Sequence, residues 1–209
     1  MKKLVGLTGG IASGKSVVAR TFSEAGFCIL DFDILAAELR DTNKEVQDKL
    51  TAAFGTYDRF ALRNTVFRNT GTIAIVNEIF FKPILALAHK KTEESTAPVV
   101  IWDTALLLDF PEDLIPKEME QIFVVHCPRE IRKARLLKRH VPNQVPAPPN
   151  SHTSQVSEEV AEHILNIQIS DEKRLELAKA HNASIIYSDT SIEDLQATVK
   201  KVAKELLLP

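Results

Sequence analysis

Residues Gly9-Gly10-Ile11-Ala12-Ser13-Gly14-Lys15-Ser16 read G-G-I-A-S-G-K-S. This is the phosphate-loop spacing G-x-x-x-x-G-K-[S/T], with Gly9, Gly14, Lys15 and Ser16 at the fixed positions. The flanks supply the context the pattern needs. Leu4-Val5-Gly6-Leu7 has the length and apolarity of a buried strand, and Val17 to Phe22 places Val18, Ala19 and Phe22 on one helical face. Glycines let the backbone curl so that successive N–H groups point inward, while the following helix adds partial positive charge at its N-terminus. Lys15 is then placed to reach the β and γ phosphates, and the Ser16 hydroxyl to ligate Mg²⁺. The segment Gly9 to Ser16, with Gly10, Ile11, Ala12 and Ser13 supplying backbone, predicts a nucleoside triphosphate site.

The chain has 209 residues, above the common domain size of about 100–150. That is enough for one α/β core with small appendages. A formal net charge of −2 gives no global attraction to nucleic acid or an anionic membrane, so neither is expected as a partner. Cys28 and Cys127 both lie in apolar, strand-like runs and read as small core residues rather than a disulfide framework. No apolar run approaches the roughly 18 residues of a membrane span. The start, Met1 to Val5, faintly resembles a signal peptide, but Thr8-Gly9-Gly10 interrupts it and belongs to the loop. A reducing, cytoplasmic setting is expected.

Short apolar runs recur at Leu4–Leu7, Phe27–Leu30, Val99–Trp102, Ile122–Val125 and Ser184–Tyr187, with helical patterns between them. That alternation predicts a parallel sheet of about five strands covered by helices on both faces. Residues 54–95 break the rhythm. Helical patterns run through Phe60–Phe67 and Thr72–Phe81, then restart after Pro83 through Lys91. A break is expected at Lys82-Pro83, because proline lacks a helix donor and restricts its predecessor. The stretch reads as a helical insert suited to a second substrate. Val141 to Gln155 holds four prolines among small polar residues, an extended or mobile loop. Its composition fits either a lid or a solvated linker. A helical pattern resumes at Ser157 and is expected to continue to about Ala180.

Several side chains stand where chemistry would need them. Strand two ends in Leu30-Asp31-Phe32-Asp33, and ligands gather at the carboxyl ends of parallel strands. Asp33 fits two roles: a base taking the proton of an attacking hydroxyl, or the N-cap of the helix that starts at Ile34. Asp103 ends strand three, the place from which phosphate-loop proteins hold Mg²⁺; the bland alternative is an ordinary loop aspartate. Over residues 129–139 there are six Lys or Arg against one Glu, and Arg132, Arg135 and Arg139 share a helical face. That face suits a polyphosphate, and Arg174 adds a further cation on the helix returning from the Pro-rich loop. The six histidines are scattered without metal-ligand spacing.

With these features in place, the chain resembles the dephospho-CoA kinase family. The matching segments are Gly6-Leu7-Thr8 through Ser16, then Asp31-Phe32-Asp33-Ile34-Leu35-Ala36, then Asp58-Arg59-Phe60-Ala61-Leu62-Arg63-Asn64-Thr65-Val66-Phe67. Trp102 to Asp109, Ile164 to Gln168 and Arg174-Leu175 follow in order. The resemblance implies a three-layer phosphate-loop kinase fold. Its core would be 1–53, 96–140 and 181–209, with a substrate-binding insert at 54–95 and a lid and return helix at 141–180. It implies transfer of the ATP γ-phosphoryl to the ribose 3′-hydroxyl of dephospho-CoA, with Mg²⁺. Asp33 would be the base and Lys15 would stabilise the transferring group. Arg139 and Arg174 would meet the ATP phosphates, and Ser16 and Asp103 would hold the metal. The chain departs from the family at Lys82 (histidine expected), Ala105 (proline), Asp109 (glutamate), Asp171 (arginine) and Ser188-Asp189-Thr190 (an asparagine-glycine turn). Two other readings stay open: a kinase of another nucleoside or nucleotide hydroxyl, and a nucleotide-dependent binding protein without transferase activity. Only an enzyme would need Asp33 aimed at an acceptor.

Overall fold

The computed structural model describes residues 2–66, 70–110, 115–138 and 156–208. All five apolar runs are strands: β1 (Lys3–Gly9), β2 (Cys28–Asp31), β3 (Val99–Asp103), β4 (Met119–His126) and β5 (Ser184–Tyr187). They form one sheet in the order β2-β3-β1-β4-β5, and β1 runs parallel to both β3 and β4, as β4 does to β5. The described helices are α1 (Lys15–Glu24), α2 (Phe32–Thr42), α3 (Lys44–Phe54), α4 (Arg59–Val66), α5 (Thr70–Glu94), α6 (Arg129–Lys138), α7 (Glu158–Asn166), α8 (Asp171–Ala180) and α9 (Ile192–Leu206). The chain divides into two compact units, residues 1–29 with 97–209, and residues 30–96.

In the first unit the sheet is buried on both sides, as parallel sheets are. Every residue of β3 is buried, which explains why its sequence runs apolar without alternation. One face gathers Val5, Leu7, Val99, Ile101, Phe123, Val125 and Ile186 against Val18 and Phe22 of α1 and Leu195, Val199 and Ala203 of α9. The spacing Leu195, Val199, Ala203 is one stripe of a helix. Phe22 stacks on Phe27 with ring centroids 5.6 Å apart and tilts against Phe123 at 5.9 Å. Lys3 Nζ donates to the Leu206 and Leu208 carbonyls at 3.1 and 2.7 Å, closing the end of α9 onto β1.

The second unit is a helical cluster. Asn43 caps α3 by accepting from Val46 N, and Asp58 caps α4 by accepting from the Phe60 and Ala61 amides. The expected break at Lys82-Pro83 is absent, and α5 runs unbroken through Pro83. Pro83 removes the hydrogen bond to the Ile79 carbonyl, at a cost of about 3 kcal/mol. Burial of Ile79, Ile84, Leu85 and Ala88 on the same helix outweighs it, since each large side chain contributes about 1.5–3 kcal/mol. An ion pair from Lys91 to Glu38 at 3.1 Å ties α5 to α2. By length and composition alone, Gly71–Glu94 reaches what a membrane-crossing helix needs. The apolar letters did not suggest this because Glu78 and Lys82 interrupt them, and the helix packs against α2, α3 and α4.

A second expectation is also corrected. The helix expected from Ser157 to Ala180 is two helices, α7 and α8, separated by residues 167–170. Ser170 is the reason: its side chain accepts from Lys173 N and starts a new helix with Asp171 and Glu172 in its first turn. The Phe67 end of the predicted α4 pattern and the whole Val141–Gln155 stretch lie outside the described residues.

Phe22 sits at the centre of the first unit's core, fully buried. Phe22→Ala should cost about 3–5 kcal/mol, measured as a fall in the urea midpoint with little change in slope.

Candidate active site

The loop between β1 and α1 is held by groups that come from far along the chain. Gly14 takes a left-handed conformation, φ 98°, and gives α1 no side-chain cap. No side chain competes for the first N–H groups of the helix, and a helix start of that kind suits an anion. Inside the loop, Ser13 N donates to the Gly10 carbonyl at 3.0 Å. Ile11 N donates to Gln168 Oε1 at 2.7 Å. The four-residue link between α7 and α8 puts Gln168 within reach.

The outward carbonyls are matched one by one. Arg132 Nη1 donates to the Ile11 carbonyl at 3.4 Å, and Arg135 Nη1 to the Ala12 carbonyl at 3.2 Å. The Ser188 hydroxyl donates to the Ser13 carbonyl. Arg135 also donates to the Ser188 carbonyl at 2.5 Å. The sequence assigned the Arg132 and Arg135 face to a polyphosphate; in the structure these two side chains grip the loop itself. Arg132, only 3% exposed, is further fixed by the Cys127 carbonyl at 3.1 Å and by both oxygens of Asp171 at 2.7 and 2.8 Å. Arg174, 4% exposed, shares the Asp171 carboxylate at 3.1 Å. A β-carbon added at Gly10 would lie 2.5 Å from Arg132 Nη1 and 3.1 Å from Arg174 Nη1, so both guanidiniums lie directly on the loop.

Lys15 pairs with Asp103 Oδ1. Asp103 ends β3 next to β1, with Leu7 and Asp103 in register, so the sheet delivers the carboxylate to the base of the loop. Its side chain is 6% exposed against 21% for Lys15. Ser16 is exposed at the start of α1. The Ser13 hydroxyl is buried without a hydrogen-bond partner among the described residues.

Farther from the loop, Glu162 of α7 accepts from Lys133 at 2.9 Å and Arg129 at 2.6 Å. These hydrogen bonds, Lys133 first and Arg129 second, hold the Glu162 carboxyl below its ordinary range, and Glu162 in turn raises Lys133. A depressed carboxyl gives stability that is present above its unfolded value and fades as pH falls. The Glu162 ion pairs to α6 are therefore expected to weaken as pH falls.

The two aspartates after β2 separate cleanly. Asp31 is the N-cap of α2, its carboxylate accepting from the Asp33 and Ile34 amides at 2.8 and 3.4 Å. Asp33 lies inside the first turn with its side chain exposed. The capping role left open for Asp33 belongs to Asp31. Arg139 lies outside the described residues. Gln168 and Ser188 had no role assigned from the residues alone. Ser188 directly follows β5, and a polar residue just past a predicted parallel strand is the signal that could have found it.

A parallel sheet in this order, with a glycine loop leading from its central strand into a helix, defines a phosphate-loop nucleotide-binding protein of the kinase type. The family model for dephospho-CoA kinase matches residues 3–194, and the chain belongs to that family. It is 29% identical to the dephospho-CoA kinase of Fusobacterium nucleatum subsp. nucleatum, over 97% of this chain and 98% of the relative. It superposes on TT1252 from Thermus thermophilus with a TM-score of 0.71 at 25% identity, covering 100% of this chain and 99% of that one. The dephospho-CoA kinase from Campylobacter jejuni shares the fold at a TM-score of 0.54 and 21% identity, covering 98% and 97% of the two chains.

Gly14 combines its positive φ with a close neighbour, since an added β-carbon would stand 3.3 Å from Ser188 Oγ. Gly14→Ala should lower stability by about 1–2 kcal/mol from the backbone alone and weaken nucleotide binding further. Thermal melts with and without nucleotide check both effects.

Proposed function

We propose that this chain transfers the γ-phosphoryl group of ATP to the ribose 3′-hydroxyl of dephospho-CoA, giving CoA and ADP, with Mg²⁺ bound beside the triphosphate. The observation that carries the reading is the Lys15–Asp103 pair at the base of the loop, in a chain whose family match runs through residues 3–194. In the absence of nucleotide the ammonium and carboxylate neutralise each other. A triphosphate seated on the Gly9–Ser16 amides offers Lys15 a stronger anion, and the freed Asp103 becomes available to a cation.

The donor set fits magnesium. Mg²⁺ keeps several waters and takes one or two protein oxygens plus phosphate oxygens. Asp103 and Ser16 supply hard oxygens of that kind, and no larger cluster of His, Cys, Asp or Glu occurs among the described residues. The ion would add positive charge where the β- and γ-phosphates meet.

The protein's own groups do the rest. The acceptor oxygen attacks phosphorus, the bond from phosphorus to the bridging oxygen breaks, and ADP leaves with that electron pair. Lys15 stabilises the charge that develops on the transferring group. Asp33 takes the proton of the acceptor hydroxyl, while the capping of α2 is done by Asp31. Arg139 and Arg174 neutralise the nucleotide phosphates. The site would work in a reducing cytoplasm, in keeping with free thiols at Cys28 and Cys127.

Steady-state rates with dephospho-CoA, adenosine, nucleoside monophosphates and shikimate as acceptors test the assignment. Dephospho-CoA should give by far the highest kcat/KM, and a higher value for any other acceptor would overturn it. Lys15→Ala should leave a folded protein whose turnover has dropped by several orders of magnitude. Asp33→Asn should bind ATP normally and lose about 10²–10⁴-fold in kcat, the usual share of a general base. Turnover near wild type in Asp33→Asn would move the base elsewhere.

A further inference from the structure

The carbonyls of Ile11, Ala12 and Ser13, three in succession, each accept a hydrogen bond from outside the loop: from Arg132, Arg135 and Ser188. In a planar trans peptide the carbonyl and the next N–H point in opposite directions. Holding those oxygens toward α6 and Ser188 turns the N–H groups of Ala12, Ser13 and Gly14 away from them. The Ser13 amide is taken by the Gly10 carbonyl, which leaves the Ala12 and Gly14 amides aimed at the side where an anion would sit. The Ile11 amide is diverted outward to Gln168. The pattern sorts the loop's polar groups by side.

The donors are themselves fixed. Asp171 grips Arg132 with both oxygens and Arg174 with one, giving two buried cations a shared counter-ion. Burial of an unpaired guanidinium would be too costly to persist. Arg135 spans the Ala12 and Ser188 carbonyls, which lysine cannot do, because its ammonium lacks the planar fork. Ser188 is fully buried and has its own N–H donated to the His126 carbonyl at 2.9 Å, so its hydroxyl has a rigid mount at the end of β5.

We propose that Arg132, Arg135 and Ser188 are positioning residues that act on the nucleotide through the loop backbone, holding Ile11–Gly14 in its anion-binding shape before any nucleotide arrives. This role attaches to the nucleotide loop and is independent of the acceptor. If the loop is pre-formed by these contacts, losing one lowers the population of competent loop, and the apparent affinity falls by the same factor. A group that touches phosphate directly leaves the empty loop unchanged and weakens only the complex.

Hydrogen exchange of residues 9–18 in the nucleotide-free protein separates the two cases, read together with binding of a non-hydrolysable ATP analogue. Ser188→Ala should speed exchange in the empty loop by roughly fivefold, the worth of one ordinary hydrogen bond, and weaken analogue binding by a similar factor. Arg135→Gln should do both by roughly tenfold or more, because the bonds to the Ala12 and Ser188 carbonyls are lost together. Arg135→Lys should resemble Arg135→Gln, because the fork and not the charge is what the carbonyls use. In each variant the KM for ATP should rise by more than kcat falls. Unchanged exchange in the empty loop, or wild-type behaviour of Arg135→Lys, overturns the proposal. Should Arg135→Gln fail to fold, Ser188→Ala decides alone, since it removes a single hydroxyl. Because the exchange is read without substrate, its outcome is separate from that of the kinase assay.

Discussion

A tight glycine loop set between a buried strand and a helix exposes more backbone polar groups than its own turns can satisfy. Each of them must find a partner or face the cost of an unpaired buried group. Much of the first unit follows from meeting that constraint on the side of the loop that faces α6 and the end of β5. Helix α6 delivers two arginines to the Ile11 and Ala12 carbonyls, the end of β5 delivers Ser188 to the Ser13 carbonyl, and the link before α8 delivers Gln168 to the Ile11 amide. Those elements are more than a hundred residues from the loop in sequence, and the parallel sheet brings their ends together. Without the order β1-β4-β5 the braces would not reach.

The same logic explains the charge balance. Two buried arginines beside a phosphate site would repel each other in the empty protein. Asp171, standing where the family resemblance leads one to expect an arginine, supplies the counter-charge to both. Lys15 is handled likewise by Asp103. Lys15 with Asp103, and Arg132 and Arg174 with Asp171, are thus internally neutralised, and under the proposed function a triphosphate would compete with these carboxylates for its cations. Such competition would lower raw affinity while keeping the cations aligned, and preorganised charge is a source of transition-state stabilisation.

The strands, the loop and the helix after it were legible because they depend on local rules: buried parallel strands are continuous apolar runs, and the phosphate loop has fixed glycine spacing. The helix boundaries at Pro83 and Ser170 were not. Pro83 is a breaker that burial of Ile79, Ile84 and Leu85 overrides, whereas Ser170 is a mild signal that a cap makes decisive. At the site, Lys15 and Asp103 could be named from position, but that they pair could not. The basic face of α6 was visible as charge, yet charge does not say whether a guanidinium meets a ligand or a carbonyl. Only the register of β4 with β5 and the path of the α7–α8 link decide that. Asp33 was open as base or cap, and the cap proved to be Asp31, two residues earlier, a boundary shift that hydrophobic pattern cannot resolve.

The two units meet different demands. Residues 97–209 with 1–29 carry the glycine loop and the Lys15–Asp103 pair, and residues 30–96 carry Asp33 together with exposed apolar side chains at Ile34, Tyr57, Phe60 and Ile75. A kinase acting on a ribose hydroxyl must select one oxygen from several on its acceptor. Two-dimensional proton–phosphorus NMR of the product formed from ATP and dephospho-CoA reads that choice directly. The account predicts coupling of the new phosphorus to the ribose 3′ proton alone. A phosphate on the 2′ oxygen or on the pantetheine arm, or ADP formed with no phosphorylated acceptor, would contradict it.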